Sequence, residues 1–593
     1  MELSFRLAVL LAGSARRAPS VCEQQCPHSL GIFCTQSQKK AAVVKITFIG
    51  LLFASVAEAA LAQQLPSAGG QLRQLPPPPP PAQPVLPDLR VERAAAAAAV
   101  DPAVGPSFPV TTLHITGMTV FPESRLLAAT GFTPGAVLTL GQLRQMAGRI
   151  TDYYAANGYF VAQAYLPAQA VADGNVTISV IEGHYGGVTL KNSSRVSDGT
   201  AKHILSGLES GDIVANAPLE RRLLLLSDLP GTQIRSTMAP GTEVGTSDLL
   251  VEVARGRGVT GSIEADNAGN RYTGYYRLGG SLNFNNPLGI GDVISVRGLV
   301  TDGGLTYVRG SYQAPIGALT LGVAYARLDY RLRREFSALG AHGSADIASV
   351  YASYPLVRSY KYNMYLLAAG NFNRFHDVVD ATASVSDKRS QVGSVGLTGD
   401  GRDSSGSTFW SIGWSIGNLD IRTPVVRAID DVTARSNGGF HKLNLAAGRL
   451  QAITGDLSLY VLARGQLASK NLDISEKMQL GGAYGVRAYP DGEAFGDQGY
   501  IVTAEARLTV ARDLPGDLSL VAFVDHGGIT FNRNRFSTAP NSAKLSGIGG
   551  GVTWAQNGNF QLKASYAHRL GSARVMSGPD ASGQFWLQAT KLF

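Results

Sequence analysis

Beyond Cys34 the chain has no cysteine. Cys22, Cys26 and Cys34 all lie near the N-terminus, where their spacing suggests a metal site but a fourth ligand is not obvious. The remainder needs no disulfide chemistry, even in an oxidising compartment. Charge is scarce as well, with Asp, Glu, Lys and Arg making up 16% of the 593 residues. No run of about 20 apolar residues follows the leader-like segment near the N-terminus, which argues against a helical membrane protein. There is no Gly-x-x-x-x-Gly-Lys-Ser/Thr loop to cradle a nucleotide. No His-Glu-x-x-His helix occurs. No catalytic residue, metal or cofactor is expected, and the chain does not read as an enzyme. The net charge of +8 falls to +5 without residues 1–62, which hold six Lys/Arg and three Asp/Glu. No compact basic patch interleaved with aromatics supports a nucleic-acid partner.

What is present begins with a leader. Lys39, Lys40 and Lys45 precede the apolar run Ile46 to Val56, and Ala60-Leu61-Ala62 has the form of a signal-peptidase site. Residues 1–62 are therefore read as a signal region and 63–107 as a linker. Within the linker, Pro76 to Pro81 is an unbroken proline run that favours an extended spacer. Ala94 to Ala99, behind Asp88 to Arg93, fits either a short helix or a disordered spacer.

Two small α+β patterns follow. In 108–183 a strand is predicted over Val110 to Ile115. The spacing of Leu143, Met146, Ile150 and Tyr154 predicts a helix over Leu140 to Asn157, closed by Gly158. Strands are predicted over Tyr159 to Leu166 and Asn175 to Glu182, with Asp173-Gly174 as the turn. Residues 184–256 repeat the plan, with a strand at Val188 to Lys191, helices at Ala201 to Leu208 and Leu219 to Leu226, and strands at Gly231 to Met238 and Leu249 to Ala254.

From about residue 257 the texture changes to short alternating segments. Phe560, Leu562, Ala564 and Tyr566 alternate with Gln561, Lys563, Ser565 and Ala567, so one face suits lipid and the other water. At roughly 20 residues per strand and turn, 257–593 predicts a transmembrane β-barrel of about 16 antiparallel strands. A terminal strand ending on Phe593 suits its closure. Two segments here each carry a single charge among small and aromatic residues. One is Gly481-Gly482-Ala483-Tyr484-Gly485-Val486-Arg487-Ala488-Tyr489. The other is Phe523-Val524-Asp525-His526-Gly527. Charges at membrane depth are expensive and need a partner or water. Leu520, Ala522 and Val524 share one strand face, so Asp525 falls on the other, lumenal one, and His526 points away from it. Arg487 and Asp525 are read either as a pair or as two solvated lumenal groups.

Several motifs resemble one family. Gly158 to Gln169, followed by Val180-Ile181-Glu182-Gly183, resembles the first POTRA domain of the two-partner secretion transporters, the TpsB-type pores for filamentous haemagglutinin and haemolysin. Leu229-Pro230-Gly231 and Pro240-Gly241-Thr242, then Gly245 to Leu249, resemble the second POTRA domain. Asn286-Pro287-Leu288-Gly289-Ile290-Gly291-Asp292 resembles an early barrel hairpin of the family.

The resemblance implies a loop, about 475–499, that folds into the barrel. Its tip motif would be Val486, Arg487, Ala488 and Tyr489, facing a strand motif of Phe523, Asp525 and Gly527, with a salt bridge from Arg487 to Asp525. It implies a monomeric pore in outer-membrane lipid, with periplasmic POTRA domains that take an unfolded secreted exoprotein as partner. The tip usually carries Gly where this chain has Ala488, and a position needing φ > 0 would strain an alanine. The family often adds an amphipathic plug helix, for which only Asp88 to Ala99 offers itself, with a poorly matched face. Two rival readings are a barrel insertase, which would carry more POTRA domains, and a passive solute channel, which has no use for them.

Overall fold

A computed structural model describes residues 66–78, 87–91, 106–171 and 173–593. The leader, its cysteines and the Ala94–Ala99 run lie outside the described residues.

The first module sets Thr112–Thr116 parallel to Asn175–Ile181, with Gln163–Tyr165 antiparallel on the far edge. Helix Leu140–Ala156 begins with a capping box, in which Thr139 Oγ1 accepts from Gln142 N and the Gln142 side chain accepts from Thr139 N. It buries Leu143, Ile150 and Tyr154 against Val110, Leu126 and Ile178. Two features depart from the sequence reading. Glu123–Thr130 is a further helix, and the strand predicted from Tyr159 starts only at Gln163. Backbone bonds from Tyr159 N to Tyr154 O (2.9 Å) and from Ala162 N to Tyr159 O (3.2 Å) hold 159–162 in turns, while Phe121 packs edge-on against Tyr154 and Tyr159. These tertiary contacts override local β propensity.

The second module follows the predicted β-α-α-β-β order. Its elements are His184–Asn192, helices Asp198–Leu205 and Asn216–Ser227, and strands Thr232–Pro240 and Thr246–Arg255. Leu219, Leu223, Leu224 and Leu226 are buried core, as their helical spacing implies. Asp88–Val91, predicted as a helix or spacer, is instead a strand lying parallel to Thr232–Pro240 on the sheet's edge. Its backbone satisfies an edge that would otherwise be open.

Val259–Asp266 opens a closed barrel of sixteen strands, which Gly583–Leu592 completes by pairing antiparallel with it, Ser262 opposite Leu592. Closure leaves no strand edge in lipid. Alternation is as read: Leu562 and Tyr566 are exposed on the outer face, while Ala567 is buried inward. One barrel end meets the second module. Arg358 bonds Asp228 through two nitrogens, Nε to Oδ2 at 2.8 Å and Nη2 to Oδ1 at 2.7 Å. The hairpin turn Asn286–Asp292 docks there too, where Gly289 O accepts from Ser197 N at 2.7 Å. A Cβ on Gly291 would come within 2.7 Å of Leu229 Cδ2.

Candidate functional site: the occupied lumen

Between Leu457–Ala468 and Gln498–Ala511 the chain leaves the barrel end remote from the modules and turns back into the lumen. The returning loop is stiffened by a 3-10 turn at Ile474–Glu476 and by pairing of Met478–Gln479 with Phe495–Gly496. It is anchored by charge. From the wall strands, Lys388 Nζ lies 2.7 Å from Asp473 Oδ2 and Lys442 Nζ 2.5 Å from Glu476 Oε2, while within the loop Lys477 Nζ lies 3.0 Å from Asp497 Oδ1.

Arg487 sits at the loop's tip, against the wall strand Asp517–Thr530. Its Nε and Nη2 donate to the two oxygens of Asp525, each at 2.8 Å, and its backbone N reaches Oδ2 at 3.1 Å. This forked geometry matches a carboxylate, and a lysine could not reproduce it. Asp525 is fully buried and takes a further bond from Thr503 Oγ1 at 2.9 Å. The third guanidinium nitrogen, Nη1, donates to Glu505 Oε1 at 2.7 Å, and Glu505 is also bonded by Arg507. The Arg487 Cζ stands 3.4 Å from the centroid of the Phe523 ring, a cation–π contact in a sheltered place. Its carbonyl accepts from Trp586 Nε1 at 2.7 Å.

Phe523, Asp525 and Gly527 thus use the strand's period of two to face the lumen together. The ring supports the guanidinium and the carboxylate pairs with it. The glycine leaves room, since a Cβ there would stand 2.6 Å from Leu480 Cδ1 of the loop. Val486, Ala488 and Tyr489 are fully buried around the arginine. Ala488 carries no strain, because its φ is not positive. Its methyl faces Gly547, where a Cβ would lie 2.5 Å away. Gly547 is the register partner of Asp525. The alanine at the tip is accommodated by a glycine on the wall.

Sequence reasoning missed Glu505 and Thr503. Alternation along Gln498–Ala511 puts both on the same face as the buried Ile501 and marks them as lumenal. It also misplaced the plug. Helix Ala68–Arg73, inside the stretch read as linker, is packed among lumenal groups. Ala68 N donates to Asp377 Oδ1 at 2.8 Å, and Arg73 Nε donates to Lys477 O of the loop at 3.1 Å. Gln71 accepts from Thr273 Oγ1 and Gln74 from Asn270 Nδ2, both at 2.8 Å. Gly69 lets the helix approach the loop, as a Cβ there would lie 2.9 Å from Ser475 Cβ.

A closed sixteen-strand barrel behind a POTRA region, with its lumen filled by an inward loop and an N-terminal segment, defines a POTRA-bearing transport barrel of the outer membrane. The profile of the haemolysin secretion/activation protein ShlB/FhaC/HecB matches residues 245–554. The chain belongs to that family. The ShlB-type POTRA profile matches residues 108–183. Among similar proteins, the heme/hemopexin transporter protein HuxB of Haemophilus influenzae (strain 86-028NP) is 27% identical over 469 residues, which cover 77% of this chain and 82% of HuxB. The outer membrane transporter CdiB of Dickeya dadantii (strain 3937) is 24% identical over 82% of this chain and 85% of its own. The structure of CdiB from Escherichia coli superposes with a TM-score of 0.67 at 20% identity, covering 84% of this chain and 93% of that one.

Proposed function

We propose that this chain is the outer-membrane pore of a two-partner secretion pair, conducting one unfolded secreted exoprotein from the periplasm to the cell surface. Residues 108–183 and 184–256 act as the two POTRA domains that capture the exoprotein, and 257–593 conducts it as a monomer. Residues 1–62 are removed as a signal region. No step is catalytic, and folding of the exported chain outside the cell supplies the drive. Arg487 and Asp525 form a lock that holds the loop in the lumen and must open or shift as the exoprotein passes.

The observation that carries this reading is the filled lumen. Arg487 reaches Asp525 from the loop while Arg73 reaches the same loop from the N-terminal segment. A passive solute channel has no reason to place two separately tethered segments in its path. The test is secretion of the exoprotein encoded beside this chain. Deleting residues 108–255 should leave the barrel in the membrane and abolish export, and Arg487→Ala should cut export sharply at unchanged barrel levels. Normal export from the deletion would refute the proposal. Unchanged export from Arg487→Ala would remove the lock alone.

A further inference from the structure

We propose that the barrel carries an outer-leaflet site for the phosphorylated headgroup of a membrane lipid, built on Arg374 and Arg389. The inference starts from the outer face of five neighbouring strands, Leu319–Arg331, Ala341–Arg358, Tyr362–Val379, Ser384–Asp403 and Gly406–Ile421. A strand needs only about 9–11 residues to cross a bilayer. Three of these have 18, 18 and 20, so they continue past the lipid at the end remote from the modules. On three of these strands the outward residues change from apolar to polar at one level, Tyr325 giving way to Arg327, Ala348 to Asp346 and Phe372 to Arg374; on the other two the change comes one residue pair nearer the modules, at Gln391 and Asn418.

Just beyond that boundary, register aligns Arg327, Asp346, Arg374, Arg389 and Asp420 across the five strands. The two carboxylates are already engaged. Asp346 is bonded by Tyr325 Oη at 2.6 Å and Arg327 Nη1 at 3.2 Å, and Asp420 by Arg422 Nε at 2.7 Å. Arg374 and Arg389 stand directly opposite each other on adjacent strands, both exposed. Neither has a hydrogen bond or ion pair among the described residues. Like charges so placed are destabilising, and an anion between them converts the repulsion into attraction from both sides.

The surface leading from the arginines into the lipid band suits an acyl chain. Four residues toward the modules, Gly370 faces Gly393, flanked in register by Val350 and Ile416. A Cβ on Gly370 would meet only Val350 at 3.4 Å, and one on Gly393 only Ile416 at 3.8 Å or more. The result is a shallow lane with an apolar wall on each side, separated from the two guanidinium groups by one exposed residue pair, Phe372 and Gln391. Basic groups at the lipid boundary recognise phosphorylated headgroups by charge. The cation pair with apolar surface, Phe372 and then the glycine lane, directly below it favours a lipid over a free anion.

The test uses the full-length protein in nanodiscs of neutral lipid, titrated with a phosphorylated glycolipid (lipid A) and with its dephosphorylated form, bound lipid being counted by native mass spectrometry. The wild type should bind the phosphorylated form at least about tenfold more tightly. R374Q/R389Q should abolish that preference, R374K/R389K should keep most of it, and Lys361→Gln, in the turn near the modules, should leave it unchanged. Equal binding by the wild type and R374Q/R389Q overturns the proposal, as does equal binding of the two lipids. Displacement of the lipid by inorganic phosphate at comparable concentration also overturns it in favour of a free-anion site. Heat-modifiable migration checks folding. If R374Q/R389Q fails to fold, the dephosphorylated-lipid comparison on the wild type together with R374K/R389K decides.

Discussion

Removing the Arg487 side chain leaves Asp525 with no exposed surface and only Thr503 Oγ1 and, while the loop stays docked, the residue 487 amide as donors. Breaking a buried pair by deleting one partner costs about 3–5 kcal/mol, chiefly because the remaining charge is orphaned. The cation–π contact with Phe523 adds about 0.5–2 kcal/mol. Loop docking in Arg487→Ala should therefore weaken by at least about a hundredfold, since each 1.4 kcal/mol is a factor of ten. Most of that loss should vanish when the orphan goes as well, so Arg487→Ala/Asp525→Asn should be less harmful than the sum of the single changes by about 2 kcal/mol or more. Arg487→Lys should fall between wild type and alanine, because the ammonium keeps charge but loses the fork. The assay is a double-mutant cycle on loop docking, read by spin-label distances between a loop site at position 484 and a wall site at position 509. Strict additivity would show that Arg487 and Asp525 do not act as a pair, whatever their 2.8 Å separation.

Gly547→Val should drive the tip off the wall, because even a Cβ there meets Ala488 at 2.5 Å, and Ala488→Gly should restore part of the docking in the same distance measurement. Deleting residues 66–78 should increase single-channel conductance in planar bilayers, since that segment occupies lumenal space through Asp377, Asn270 and Lys477. Glu182→Gln should destabilise the first module by about 1–3 kcal/mol, read as lost protection from protease. Burial pushes the Glu182 carboxyl up, but bonds from the Thr119 hydroxyl, Val120 N, the Tyr154 hydroxyl and Thr119 N outweigh it and hold the carboxyl below its ordinary value. Its stabilisation is present above the ordinary glutamate range and is lost as pH falls through the lowered value. Wild-type module stability should thus drop as pH falls below the ordinary glutamate range, and the glutamine variant should show less of that drop.

The barrel was legible because a membrane imposes strict alternation on every strand, and sixteen strands followed from length alone. The second module's helices were legible for the same kind of reason, since Leu219, Leu223 and Leu226 mark one buried stripe. The Arg487–Asp525 contact was reachable from strand parity at Asp525 and from the family resemblance at Arg487. The plug was not. Ala68–Arg73 contains Gly69 and Gly70, poor helix formers, and it is helical because the lumen supplies donors and acceptors at its ends. The Asp88–Val91 strand was hidden for a related reason: four residues beside prolines carry no period, and a neighbouring sheet edge determines their conformation. Ala488 misled in the opposite direction. Its environment is set by Gly547, 59 positions further along the chain, and no local rule couples the two.

The Asp88–Val91 strand also tethers the segment that precedes it. Pairing with Thr232–Pro240 fixes the chain at the second module, while Ala68–Arg73 sits in the lumen. The fourteen residues 74–87 separate the two elements, and even fully extended they reach only about 50 Å. The plug is thus on a leash. Once displaced, it stays at an effective concentration in the millimolar range and competes for the lumen from the moment the last of the cargo has cleared. Resealing becomes a unimolecular event, independent of how many copies the membrane holds, and lengthening 79–86 should slow it without altering either anchor.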